Sequence, residues 1–385
     1  MSDRPRLRPP LIGREEQLER MMAKLAFALS GKGTVVLVSG EAGCGKTRLV
    51  EEFQNLASNT RCACVSATCT AGQLPYQPFR AAMADLSRVD PQIADSSSFQ
   101  EFCRCRDVGA SGKRELEGEE RALFSAQELI REASGRLPLV IRIDDLQMAD
   151  AKTIQMLHFL ARGLVSTRAV IACTYSDDEL YDRQGRPHPL IEATRIMKRE
   201  GLCEDIPLAP LTEGQLAEAL GGLIEKELDE QALGSLYHES GGNPQIAVEL
   251  TLEALRSGAM MLGRDKATME SWHELGIPPG LRAWVGRKLD ALPGDQLQLL
   301  QCASLLGDRF DAELLASALG KQKLETLELL DDAVREYRLY LEDGERYMFR
   351  WGVVRRVASE CIPSARAMEL RRSIDMARVR RGRPS

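Results

Sequence analysis

Residues 34–47 read Thr34-Val35-Val36-Leu37-Val38-Ser39-Gly40-Glu41-Ala42-Gly43-Cys44-Gly45-Lys46-Thr47, and the fold turns on this stretch. Its first six residues are a short apolar, β-branched run, the pattern of a strand buried in a parallel sheet. The last eight fit the spacing G-x₄-G-K-[ST]. Leu49, Val50 and Phe53 then give a helix its apolar positions, with Glu51 and Glu52 between them. Strand, glycine loop and helix in that order form the context a phosphate-binding loop requires. Glycines let backbone N–H groups of Gly40, Gly43, Cys44 and Gly45 turn inward around a phosphate. The helix start adds the positive end of its dipole. Lys46 is expected to neutralise β- and γ-phosphate charge, and the Thr47 hydroxyl to ligate Mg²⁺.

Such a loop needs a second acid for the metal. Residues 138–150 supply an apolar strand that ends in Asp144-Asp145. Asp144 is expected to hold Mg²⁺ through water, and Asp145 to polarise the attacking water as a catalytic group together with Lys46.

Further motifs carry a resemblance. Leu11-Ile12-Gly13-Arg14-Glu15 lies about 25 residues before the loop. It resembles the nucleotide-base segment of Orc-like AAA ATPases and, equally, of the STAND signalling NTPases that include MalT-type bacterial regulators. Cys69 with Leu74-Pro75-Tyr76-Gln77-Pro78-Phe79 resembles the stretch after their second strand. Val170-Ile171-Ala172-Cys173-Thr174-Tyr175 resembles their fourth strand and its sensor, Thr174. Pro207-Leu208-Ala209-Pro210-Leu211-Thr212 resembles the exit into a helical lid, and Glu239-Ser240-Gly241-Gly242-Asn243-Pro244 the lid motif. Ile277-Pro278-Pro279-Gly280-Leu281 resembles the opening of a winged helix.

The resemblance implies an α/β P-loop NTPase of AAA type: a parallel sheet, a helical lid and a C-terminal winged-helix domain. The expected organisation is a flexible N-terminus at 1–10 and a nucleotide core at 11–208, with a variable insertion at 90–118. A lid at 209–260, a winged helix at 277–362 and a basic helix and tail at 363–385 complete it. The resemblance also implies ATP or ADP with Mg²⁺ as cofactors. By analogy Ile12, Gly13 and Arg14 face the base, and Gly242 and Pro244 lie over the nucleotide.

Local signals stand beside that resemblance. Thr212-Glu213-Gly214-Gln215 is a capping box. A helix over about 229–239 is expected to end at Gly241, and another to start at Asn243-Pro244, N-cap followed by proline. Helical spacing continues through 281–292, 297–306, 312–319 and 324–335. Then 338–342 and 346–350 alternate with period two about Asp343-Gly344, a hairpin signal. Residues 90–118 lack periodicity, hold Gly109, Gly112 and Gly118, and precede a helix expected over about 119–134.

Composition bounds the function. The chain has 385 residues, 44% hydrophobic and 28% charged, enough for two or three cored domains. Its net charge of −6 argues against a whole-chain nucleic-acid coat. From Arg346 to Ser385, however, there are eleven arginines, no lysine and only three acids. No run reaches the roughly 18 apolar residues of a membrane helix, and Met1–Pro10 lacks the apolar core of an export signal. A cytoplasmic protein without membrane association is expected. Ten cysteines include Cys62, Cys64, Cys69, Cys103 and Cys105, whose C-x-C spacings differ from the C-x₂-C pairs of structural zinc. They are read as free thiols.

Four residues depart from the resembled pattern. Arg142 replaces an apolar strand residue, Met148 a tryptophan, Ser176 an arginine and Trp351 a histidine. Arg183, Arg186, Arg195 and Arg199 are candidates for an arginine acting in trans. The reading is an ATP-binding, slowly hydrolysing switch that couples nucleotide state to a protein partner or to self-association. No repeat array is evident, and the input or output is expected to lie in another protein. An Orc-like DNA-binding ATPase using the basic tail is the alternative, with DNA not favoured. A scaffold that holds nucleotide permanently is the third reading.

Overall fold

The computed structural model describes residues 11–104, 113–182, 184–263, 266–269 and 275–381. Residues 1–10, Cys105, Gly109, Gly112, Arg183 and the end of the tail from Gly382 lie outside the described residues. The chain divides into two units: Gly13–Leu180 with Pro187–Ala209, and Pro210–Ser385 with Met1–Ile12 and Tyr181–Arg186.

The first unit runs α1 (Glu15–Leu29), β1 (Thr34–Gly40), α2 (Lys46–Asn59), β2 (Ala63–Thr68), α3 (Gln77–Val89), α4 (Pro91–Ala94) and α5 (Ser97–Arg104). It continues α6 (Lys113–Arg136), β3 (Leu139–Asp144), α7 (Ala151–Leu164), β4 (Ala169–Ser176), α8 (Pro189–Arg199) and β5 (Cys203–Leu208). Its five strands are ordered β2-β3-β4-β1-β5, and every pair is parallel. The apolar run in β1 has the predicted cause: Val35, Val36, Leu37 and Val38 are fully buried. Each such side chain contributes about 1.5–3 kcal/mol by leaving water. Leu49, Val50 and Phe53 of α2 are buried as well, so this helix covers the sheet beside the loop it follows.

Within 90–118, where the sequence shows no period, the described residues form α4, α5 and the start of α6, and 105–112 lie outside the described residues. Asp90 caps α4 by accepting the Gln92 N–H at 3.1 Å, with Pro91 at N1. Phe102 anchors α5: it is buried, Arg80 donates to its carbonyl at 3.0 Å, and the Arg80 guanidinium lies 5.3 Å from its ring. The helix expected over 119–134 starts earlier, at Lys113. Turns this short bury too few apolar residues to show a period, but Asp90-Pro91 obeys the same capping rule as Asn243-Pro244.

The second unit runs α9 (Glu213–Ile224), β6 (Glu227–Leu228), α10 (Glu230–Ser240), α11 (Pro244–Ser257), β7 (Met260–Leu262), β8 (Lys266–Met269), α12 (Pro279–Ala291) and α13 (Gly294–Leu306). It then adds β9 (Arg309–Asp311), α14 (Ala312–Leu319), α15 (Lys323–Arg335), β10 (Tyr340–Asp343), β11 (Arg346–Phe349), α16 (Gly352–Glu360) and α17 (Ser364–Arg381). One hydrophobic core extends from Leu211 to Ala377. The capping box at Thr212 forms with both of its bonds, and Asn243 caps α11 by accepting from Gln245 and Ile246 N–H. The hairpin differs by one residue from its expected register. Asp343 pairs with Arg346, so Gly344-Glu345 is the turn, and Arg338 lies outside the strand with φ +53°. Two small sheets, β6-β8-β7 and β10-β11-β9, include strands too short to carry a period.

The glycines of the lid motif are explained by packing within this unit. Gly241 has φ +57°, and a Cβ there would lie 2.2 Å from the Arg350 carbonyl oxygen. Gly242 has φ +78°, and its Cβ would lie 2.2 Å from the Leu211 carbonyl. Trp351, next along from Arg350, is fully buried and meets Trp284 edge-on at 5.6 Å. Gly258 has φ +75° with open space around it. Gly258→Ala should therefore cost only the left-handed strain, about 1–2 kcal/mol. Gly241→Ala should cost clearly more, because the Arg350 backbone must also move. Urea denaturation of the two variants checks this ordering.

Candidate functional site

Strand order builds the site in the first unit. With β4 between β1 and β3, the end of β4 lies beside both the glycine loop and the paired acids. Register places Val38 opposite Thr174 and Gly40 opposite Ser176. Sites in open parallel sheets form at these carboxyl ends, where the strand order jumps.

The loop 40–45 curls because three of its residues take left-handed φ: Gly40 (+148°), Gly43 (+84°) and Gly45 (+98°). At Gly40 a Cβ would strike the Leu208 carbonyl at 2.7 Å and the Cys44 sulfur at 2.8 Å. At Gly45, directly before α2, a Cβ would meet nothing within 4 Å. The Ala42 N–H already faces an anionic oxygen, donating to Asp178 Oδ1 at 3.1 Å. A loop with these properties fits a phosphate.

Lys46 is buried beneath the loop. Its ammonium donates to the carbonyls of Gly40 (3.0 Å) and Glu41 (2.7 Å) and to Ser176 Oγ (3.0 Å). A lysine has three donors, and these contacts use each of them. Ser176 thus holds Lys46 at the position where the resembled pattern has arginine. Its own N–H donates to Gln147 Oε1 at 3.1 Å. Thr47 is exposed on the first turn of α2. Burial pushes the Cys44 thiol up, while Lys46 and Arg14 pull it back.

Thr174 is fully buried and clamps the acids. Its hydroxyl donates to Asp144 Oδ1 at 3.1 Å and accepts the Asp145 N–H at 3.0 Å. Arg142 Nε donates to Asp144 Oδ2 at 2.6 Å. Burial raises the Asp144 carboxyl above the ordinary range, and Arg142 and Thr174 oppose that. Asp145 is held at φ +60°, and Gln147 Nε2 donates to its Oδ1 at 3.3 Å. Cys69 packs close by, its thiol pushed up to about 12 by burial and by Asp145, Asp150 and Asp144.

The remaining expected residues divide. Arg14 braces the loop, donating to the Cys44 carbonyl at 3.2 Å and to Ala209 O at 2.7 Å. Gly13 adopts φ +67° and donates to Glu15 at 3.2 Å. Ile12, Gly242 and Pro244 belong to the second unit, where Ile12 packs on that unit's core. Arg186 and Arg195 are paired with Asp182 and Glu192 of their own turns. The nine described cysteines are free, and among the described residues no group of three His, Cys, Asp or Glu converges to hold a metal. Gln147, Asp178, the loop-bracing role of Arg14 and the hold of Ser176 on Lys46 have no spacing rule that would have marked them, because they depend on contacts between segments far apart in the chain.

The clamp can be tested directly. Thr174→Val keeps shape but removes the hydroxyl, leaving a buried carboxylate with one partner fewer. It should lower unfolding free energy by about 1–3 kcal/mol in denaturant titration.

Residues 10–171 match the family model described as the AAA ATPase domain. An uncharacterized protein of Rhizobium meliloti (strain 1021) is 26% identical over 202 residues, 44% of this chain and 19% of that protein. The matched region thus spans about a fifth of that relative's length. Among solved structures, a STAND protein with a tetratricopeptide-repeat sensor from Pyrococcus horikoshii is 16% identical with a TM-score of 0.40. That alignment covers 99% of this chain and 47% of that one, so this chain spans about half its length. The Aeropyrum pernix Orc1 protein, solved in complex with DNA, is 16% identical with a TM-score of 0.44, covering 92% of this chain and 94% of that one. The glycine loop at the end of β1 and the acids at the end of β3 both lie within the segment 10–171 that is similar to the AAA ATPase domain.

Proposed function

We propose that this protein is an ATP-binding switch that hydrolyses ATP slowly and passes its nucleotide state to a protein partner or to a second copy. One observation carries the reading: a buried lysine under a left-handed glycine loop, with a single strand, β4, between the loop's strand and that of a clamped pair of acids. The loop amides and Lys46 would bind the phosphates. Thr47 and Asp144 would hold Mg²⁺, whose charge, when bound, offsets that of the β- and γ-phosphates. Asp145, oriented by Thr174 and Gln147, would position the attacking water. Slowness follows from two features: Ser176 offers a hydroxyl in place of a cation, and Lys46 must leave at least one of its three oxygens to reach a phosphate.

The order α13, β9, α14, α15, β10, β11 supports reading that part of the second unit as a winged helix. A second reading, DNA binding, rests on α17. There Arg366, Arg371, Arg372, Arg378 and Arg380 are exposed. It requires affinity that falls steeply with salt.

The test is to identify the nucleotide in purified protein and time ATP loss in wild type, Asp145→Asn and Lys46→Ala. Wild type should turn ATP over and Asp145→Asn should retain it. Lys46→Ala should weaken ATP binding by about tenfold or more. Unchanged affinity in Lys46→Ala would refute the site.

A further inference from the structure

Arg142 is a charged residue in the interior of β3, a strand otherwise buried. It stands two residues before Asp144, so both side chains leave the same face of the strand. Its Nε is 2.6 Å from Asp144 Oδ2, while its terminal NH2 donates to Glu51 Oε1 at 3.3 Å. Side-chain exposures are 14% for Arg142, 4% for Asp144 and 38% for Glu51. The guanidinium thus bridges one dry carboxylate and one wetter carboxylate. With Thr174 on Oδ1, both oxygens of Asp144 are occupied. Glu51 in turn lies on α2 four residues after Thr47, one helical turn along the same face. The bridge therefore joins the two elements that carry the proposed Mg²⁺ ligands.

We propose that Arg142 is a positioning residue that shares its charge between Asp144 and Glu51 and thereby sets the divalent-cation concentration at which nucleotide is retained. This rests on the nucleotide-site reading above. Arg142 must yield Oδ2 before Asp144 can turn to a cation. A buried charge left alone is costly, and Glu51 keeps the guanidinium paired while Asp144 is released. Removing Arg142 should ease cation capture. Removing Glu51 should commit Arg142 to Asp144 and hinder it.

The experiment follows binding of a fluorescent ATP analogue to the full chain, first in EDTA and then with rising Mg²⁺. Variants are Arg142→Gln, Glu51→Gln and, as an equal charge change on an exposed neighbour, Glu52→Gln. Arg142→Gln should lower the Mg²⁺ midpoint by about fivefold, the scale of one partly buried ion pair. Glu51→Gln should raise it, and Glu52→Gln should leave it in place. Shifts of opposite sign are not a signature of general destabilisation. If Arg142→Gln does not fold, Arg142→Lys keeps the charge but loses the two-pronged bridge, and should shift the midpoint in the same direction by less. Equal midpoints, or Arg142 and Glu51 variants that shift together, overturn the proposal while the nucleotide site stands. An analogue that binds wild type neither in EDTA nor in Mg²⁺ overturns both.

Discussion

A buried ammonium must be surrounded by acceptors, and Lys46 meets that demand in a way that organises the whole first unit. Two of its acceptors are backbone carbonyls of the loop it follows, and the third is a hydroxyl at the end of β4. The loop cannot open, and β4 cannot slide, without exposing an unsatisfied charge. Arg14 repeats the device from outside by tying the Cys44 carbonyl to Ala209. The curl of the loop is thus held from three directions before any ligand enters.

The paired acids obey the same rule with opposite sign. Asp144 is buried, which disfavours its charge and raises its pKa, and hydrogen bonds from Arg142 and Thr174 oppose that rise. Thr174 serves both acids because β4 lies between the loop strand and the acid strand. The left-handed Asp145 is the local strain that this arrangement sustains. Both oxygens of Asp144 are engaged, one by Arg142 and one by Thr174, so the carboxylate is held in a single orientation.

The second unit works by close backbone approach. Gly241 and Gly242 bring the α10–α11 turn against Arg350 and Leu211, and Trp351 fills the space beside it. Residues that the family resemblance assigns to nucleotide contact have a complete packing explanation within their own unit. A single core from Leu211 to Ala377 means that a shift of the α10–α11 turn is felt by β11 and α16.

Some of this was determined by the sequence alone. The glycine loop, the capping box at Thr212, the Asn243-Pro244 helix start and the hairpin near Gly344 are encoded within a few residues, because caps and turns are satisfied by neighbours. Arg142 stands out in the sequence as a charge in an apolar strand, but its partners Asp144 and Glu51 appear only in the folded chain. Tertiary structure decided the rest. Strand order set β4 between β1 and β3, which alone gives Ser176 to Lys46 and Thr174 to Asp144. It also brought Glu51 to Arg142 across 91 residues and carried the chain through α4 and α5, where periodicity is too short to read. Contacts that close long loops leave no period or spacing in the chain, because their geometry exists only once the sheet has assembled.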